Sequence, residues 1–141
     1  MIRDLNMLVF LGFNAWEDWR KRKISLTSIV LASFIGALFY AGGSMEWTYR
    51  QILAFLPGAF LLLWSYLTRG KVGIGDGLIV LEMGWYMPLD EITAVFSAAL
   101  MGAAVYSGIL YMKGHRNKDL CIPFVPFLLG GYVGGLCLWT R

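Results

Sequence analysis

An all-α polytopic membrane protein, a bundle of about six transmembrane helices, is the fold class this sequence predicts. Three observations lead there. The chain is 58% hydrophobic and 15% charged, with mean hydropathy +0.63, whereas soluble domains run at about half apolar and about a quarter charged. A chain of 141 residues is too short to bury that surplus in its own core, because small domains bury a smaller share of their surface. The apolar residues also fall in runs split by short charged joints, and the basic residues gather at every second joint.

Six runs are legible, over residues 5–19, 26–42, 52–67, 76–87, 92–112 and 122–139. A helix perpendicular to a bilayer needs about 20 apolar residues, with a range of about 17–25. The first and fourth runs fall short of that, so they are expected to be tilted, partly re-entrant, or continued into water as helix. The sixth carries Gly130-Gly131 and Gly134-Gly135, a G-x-x-x-G spacing that lets helix backbones approach closely in lipid, within one bundle or between two chains. Backbone groups in hydrocarbon must bond internally, which leaves an α-helical bundle for runs of this kind. No internal repeat, soluble domain or low-complexity tail interrupts them, so residues 1–141 read as one transmembrane domain.

The joints set the orientation. Arg20, Lys21, Arg22 and Lys23 follow the first run, Arg69 and Lys71 the third, and Lys113, Arg116 and Lys118 the fifth, which makes nine of the twelve Lys and Arg. The joint after the fourth run carries Asp90 and Glu91 instead. Under the positive-inside rule the odd joints face the cytoplasm and both termini face outward. Six Trp and seven Tyr, many flanking the runs, suit the two interfaces. The start, Met1-Ile2-Arg3-Asp4, lacks a strongly basic segment and no A-x-A-like site follows Phe13, so a cleaved leader is not expected. The formal charge of +3 does not point to nucleic acid. Cys121 and Cys137 form no C-x-x-C pair, and His115 stands alone in a charged joint, so no metal site and no cofactor is expected. The two cysteines read as small hydrophobes.

Ionisable groups at membrane depth are costly, and those that persist are functional candidates. Of nine acids, Asp4, Glu46, Asp90, Glu91 and Asp119 lie in joints or near the termini, leaving Glu17, Asp18, Asp76 and Glu82. Glu17 is placed to pair with Lys21, and Asp18 with Arg22, at the i,i+4 spacing of exposed helix pairs. Asp76 is placed to cap the helix it opens. Yet the topology, drawn from the basic residues alone, puts Asp18 and Asp76 at the cytoplasmic ends of their helices. Two carboxylates at one depth can share a proton, since like charges held close do not both ionise easily. They then supply a base to activate water and an acid to protonate a carbonyl or amine. Gly73, Gly75 and Gly77 strip side chains from around Asp76, which suits either a tight turn or the close approach of another chain. A phosphate-binding loop is not indicated, because no G-x-x-x-x-G-K-[ST] pattern is present. Glu82, about 9 Å further along the helix and well off the Asp76 face, reads as a buried structural carboxyl, with a catalytic role as the alternative.

Gly73-Ile74-Gly75-Asp76 matches the G-x-G-D signature of the polytopic aspartyl proteases. The fuller pattern resembles the bacterial type IV prepilin peptidases. In that family the signature is followed by a glycine eight residues after the aspartate, where Gly84 stands. The family's first aspartate ends a helix and precedes basic residues and then I-P-N, as Asp18-Trp19-Arg20-Lys21-Arg22-Lys23-Ile24 does in part. A P-F-x-P-F-like stretch opening the last helix is matched by Pro123-Phe124-Val125-Pro126-Phe127. Ser25 and Leu26 replace the family's Pro and Asn, and Leu78 replaces a Lys. The cysteine-rich, zinc-binding N-terminal region of longer members has no counterpart, so the resemblance implies a short, peptidase-only form.

The resemblance implies an aspartic endopeptidase of the bacterial cytoplasmic membrane with Asp18 and Asp76 as its catalytic pair. It implies a prepilin or pseudopilin substrate, cut at the cytoplasmic face between its basic leader and its hydrophobic helix. Gly73, Gly75 and Gly77, with Pro123, Phe124 and Pro126, would hold the substrate extended. Membrane lipid is the other expected partner. Two rival classes are a small transporter or channel, whose acids would be spread through the membrane depth, and a non-catalytic scaffold, whose aspartates would be dispensable. The orientation is open to direct test. Single cysteines placed at Lys21 and Lys118, in a Cys121→Ser/Cys137→Ser background, should resist an impermeant thiol reagent in intact cells. Ready labelling at both would reverse the topology.

Overall fold

A computed structural model describes residues 2–21, 24–42, 49–68, 73–113 and 123–139. Its first helix, α1 (Ile2–Lys21), runs further at both ends than the first apolar run. Met7, Phe10, Leu11, Asn14, Ala15, Glu17 and Asp18 recur at helical spacing and are buried along one face. Val9, Phe13, Trp16 and Trp19 turn outward. Asp4 in the first turn and Arg20 and Lys21 in the last complement the helix dipole. The second run is α2 (Leu26–Ala41), entered from extended Ser25 and closed at Gly42.

The third run is not one helix. It divides into α3 (Tyr49–Leu53) and α4 (Leu56–Leu67), with Ala54 and Phe55 in a turn. Pro57 is the cause, since it has no N–H to offer the carbonyl of Leu53 and its ring crowds that carbonyl. The fourth run is the short α5 (Ile74–Met83), about 15 Å long, followed by a turn in which Gly84, Trp85 and Tyr86 bond back to Leu81, Glu82 and Met83. The fifth and sixth runs are α6 (Leu89–Met112) and α7 (Val125–Trp139). The described residues are thus all-helical or irregular, with no strand among them. Two stretches are long and apolar enough to cross a membrane, Tyr49–Leu67 and Leu89–Met112, and only 17% of each is buried. A core helix of a soluble protein of that length would be mostly covered.

The helices form two groups. α4 and α5 pack along their length as an antiparallel hairpin and α2 leans on α5, while α6 and α7 form a second hairpin against which α1 packs. Glycine makes both hairpins possible. A Cβ on Gly58 would land on the Leu81 backbone, and one on Gly77 would lie 3.1 Å from the Leu62 amide nitrogen. Across the other hairpin a Cβ on Gly131 would meet the Val95 carbonyl oxygen at 2.8 Å, so Gly131 serves packing within this chain. Gly130 and Gly134 have open space instead. The core joins residues of both groups, among them Met7, Leu11, Ile79, Met83, Ile92, Val125 and Leu128.

Polarity is distributed in reverse of a soluble bundle. Asn14, Asp18, Gln51, Ser65 and Glu82 are inside, while Phe34, Phe60, Leu63, Met101 and Val105 stand exposed. Cys137 is exposed on α7 rather than packed, and Cys121 and His115 lie outside the described residues. The Gly58 contact predicts a specific sensitivity. Gly58→Ala should cost about 1–3 kcal/mol through overpacking against backbone that cannot yield, read as a lower melting temperature of the purified protein. Gly134→Ala, with open space at its position, should leave that temperature unchanged.

Candidate active site

Three helix ends meet at one end of the bundle: the last turn of α1 and the first turns of α5 and α7. Asp18 comes from the first of these. It is buried, at 8% exposure, and its Oδ2 accepts the backbone N–H of Val125 at 3.2 Å. That N–H belongs to the first turn of α7, where helix N–H groups have no partner within the helix. Arg22, the partner that i,i+4 spacing offers Asp18, lies outside the described residues. Glu17, the neighbouring acid, does pair with Lys21, whose Nζ donates to Oε1 at 3.1 Å.

Asp76 reaches the same end from α5. It is not the cap of its helix. Gly73 occupies that position, in extended conformation, and Asp76 stands three residues inside. The Asp76 amide donates to the Gly73 carbonyl at 3.2 Å, and its Oδ2 folds back so that a Cβ on Gly73 would lie 2.9 Å away. The absence of a side chain at Gly73 thus leaves the space the carboxylate uses. A carboxylate in the first turn is also favoured by the helix dipole. Among the described residues, the charge that acts on Asp76 is that of Asp18. The two residues are 58 positions apart in sequence by subtraction of 18 from 76, and only the pairing of the two helix groups makes them neighbours.

Gly75 and Gly77 lie within α5 rather than in an irregular strip. Gly75 takes the Ile24 side chain against its Cα, which ties the segment after α1 to the start of α5. Gly77 is buried against Leu62. Pro123 and Phe124 precede α7 in non-helical conformation, and Phe124 meets Phe96 edge-on, with ring centroids 5.9 Å apart. Pro126 lines a groove of about 510 Å³ between α6 and α7, which continues past Gly102, Gly130 and Gly134 to Leu138. The groove begins one residue from the amide that holds Asp18.

Glu82 is on a different face of α5, turned toward α2. It is 1% exposed, and Ser33 donates to its Oε2 at 2.5 Å. Its Oε1 is buried without a partner. Nearby, the Tyr86 hydroxyl donates to the Ala32 carbonyl at 2.7 Å, and Gln51 donates to the carbonyls of Gly84 and Met87. Sequence reading did not find Asn14, Ser28, Ser33 or Gln51. These are polar side chains inside apolar runs, and only their buried positions reveal them. Among the described residues no group of three or more His, Cys, Asp or Glu gathers to hold a metal. No protein-family model, curated protein or solved structure matches the chain.

Glu82 as a structural group makes a prediction of its own. Ser33→Ala removes the donor and leaves a buried carboxyl unpaired, a loss of about 1–3 kcal/mol visible as a lower melting temperature. Glu82→Gln keeps the size and the Ser33 contact and should change it little.

Proposed function

We propose that the chain is a multi-pass protein of the bacterial cytoplasmic membrane. We further propose that it is an intramembrane aspartic endopeptidase, removing the basic leader from type IV prepilins or pseudopilins at the cytoplasmic face. The observation that carries the reading is the meeting of Asp18 and Asp76 at the end of the bundle where the basic joints lie, with the charge of one acting on the other. The inverted polarity supports the membrane part. Large apolar side chains face outward on α1, α2, α4 and α6, far more than a soluble monomer leaves in contact with water. Exposed Trp16, Trp19, Trp64, Tyr66 and Tyr111 cluster toward the aspartate end, the placement expected of an interfacial belt.

In the proposed reaction one ionised carboxylate takes a proton from water, and the oxygen attacks the scissile carbonyl carbon. The other, protonated carboxyl donates to the carbonyl oxygen. Collapse of the resulting diol breaks the C–N bond, and the leaving nitrogen takes up the proton. A helical peptide bond is shielded from such attack, so the substrate must be extended where it passes the pair. The groove from Pro126 to Leu138 runs away from Asp18 along α7, the direction a hydrophobic segment following the cut bond would take.

The test is leader cleavage of a co-expressed prepilin. Asp18→Asn and Asp76→Asn keep size and hydrogen bonding but cannot carry the proton. Each should reduce cleavage to background, and the double variant should be no worse than either, because residues acting as one unit are not additive. Glu82→Gln should stay within about tenfold of the parent, or about 1.4 kcal/mol of barrier. Normal processing by either single Asp variant at normal abundance in the membrane would sink the reading.

A further inference from the structure

Asn14 lies one turn before Asp18 on the same buried face of α1, and it is fully enclosed, at 0% exposure. An amide is a poor choice for the middle of a helix and for an apolar interior unless it is hydrogen-bonded. Both ends of this one are used. Its Nδ2 donates to the Phe10 carbonyl at 2.8 Å within α1. Its Oδ1 stands 2.8 Å from the Ser28 hydroxyl on α2. Ser28 Oγ is also 2.7 Å from the Ser25 carbonyl, so its one proton is shared between the two acceptors.

The contact spans the division between the two helix groups. α1 belongs with α6 and α7, while α2 leans on α5. From α2 the connection continues to α5 through the Ser33–Glu82 hydrogen bond, the Tyr86 hydroxyl on Ala32 and the Trp85 ring against Gly36. Asp18 stands on one side of this division and Asp76 on the other. Nearer the aspartates, Ile24 against Gly75 is an apolar contact without directional preference. The Asn14–Ser28 pair is directional, and it lies directly beneath Asp18.

We infer that Asn14 and Ser28 are positioning residues which set α1 against the α2–α5 unit and so fix Asp18 relative to Asp76. The inference rests on the peptidase reading. Asn14 is enclosed, and neither residue lines the groove along α7 that the substrate would follow, so their effect is expected on turnover rather than on affinity. Misplacing a reacting group by about 1 Å can cost about a hundredfold in rate.

The experiment is steady-state cleavage of a purified prepilin by purified variants in detergent, with melting temperature measured for each. Thr and Val have the same shape and differ in the hydroxyl, and Ser28 lines an open cavity of about 320 Å³ that has room for the added methyl. Ser28→Thr should keep kcat within about twofold, whereas Ser28→Val and Asn14→Leu should lower it by about tenfold or more with KM within about threefold. The double variant Asn14→Leu/Ser28→Val should be about as slow as the slower single, as expected of partners in one contact. Ser28→Ala serves in place of Val if the latter does not accumulate. Wild-type kcat in a Val or Ala variant, or a Thr variant as slow as Val, overturns the inference and leaves the peptidase reading standing. If the unaltered chain cleaves no prepilin, the peptidase reading falls and this inference falls with it.

Discussion

A polar group can be kept inside an apolar bundle only where another polar group meets it, and that constraint shapes the interior of this protein. Leaving a carboxylate or amide unpaired in such surroundings costs several kcal/mol. Asp18 meets the Val125 amide, Asn14 meets Ser28, Glu82 meets Ser33, and Gln51 meets the carbonyls of Gly84 and Met87. Each of these links two segments distant in sequence. The hydrogen bonds therefore select which helices are neighbours and at what rotation, where apolar packing alone would leave neighbouring arrangements close in energy.

Glycine supplies the complementary constraint. α5 lies so close to α4 at Gly58 and Gly77 that no side chain fits, and this closeness fixes the depth and rotation of α5. With α5 held there, Asp76 sits at the bundle's end and Glu82 is turned toward α2. The same helix thus carries two acids with different surroundings, one within reach of the Asp18 charge and one bonded to a serine. The proposed chemistry needs the first arrangement. The second closes the interior behind it.

Much of this was legible beforehand. The apolar runs correspond to helices, except that the third, read as one helix, is broken in two before Pro57. The Glu17–Lys21 pair forms as its spacing implies. Asp76 as a helix cap was a reasonable expectation from Asp propensity, but Gly73 takes that position because its extended backbone leaves room for the carboxylate above it. Gly75 and Gly77 suited either a tight turn or a close approach, and they lie within α5 with Ile24 and Leu62 of α4 packed close against them. Asn14 and Ser28 gave no signal at all, since a single polar residue in an apolar run has the same hydropathy whether it faces outward or into the core.

The sequence by itself determined where most of the helices are and which acids stand at their ends. Those properties follow from the runs of apolar residues and the charged joints between them, both readable along one dimension. The tertiary structure alone decided that Asp18 takes the Val125 amide, that its charge reaches Asp76, and that Asn14 and Ser28 join beneath it. Those outcomes depend on how each helix is rotated about its axis against its neighbours, and that rotation is settled by close packing and hydrogen-bond geometry between residues far apart in the chain.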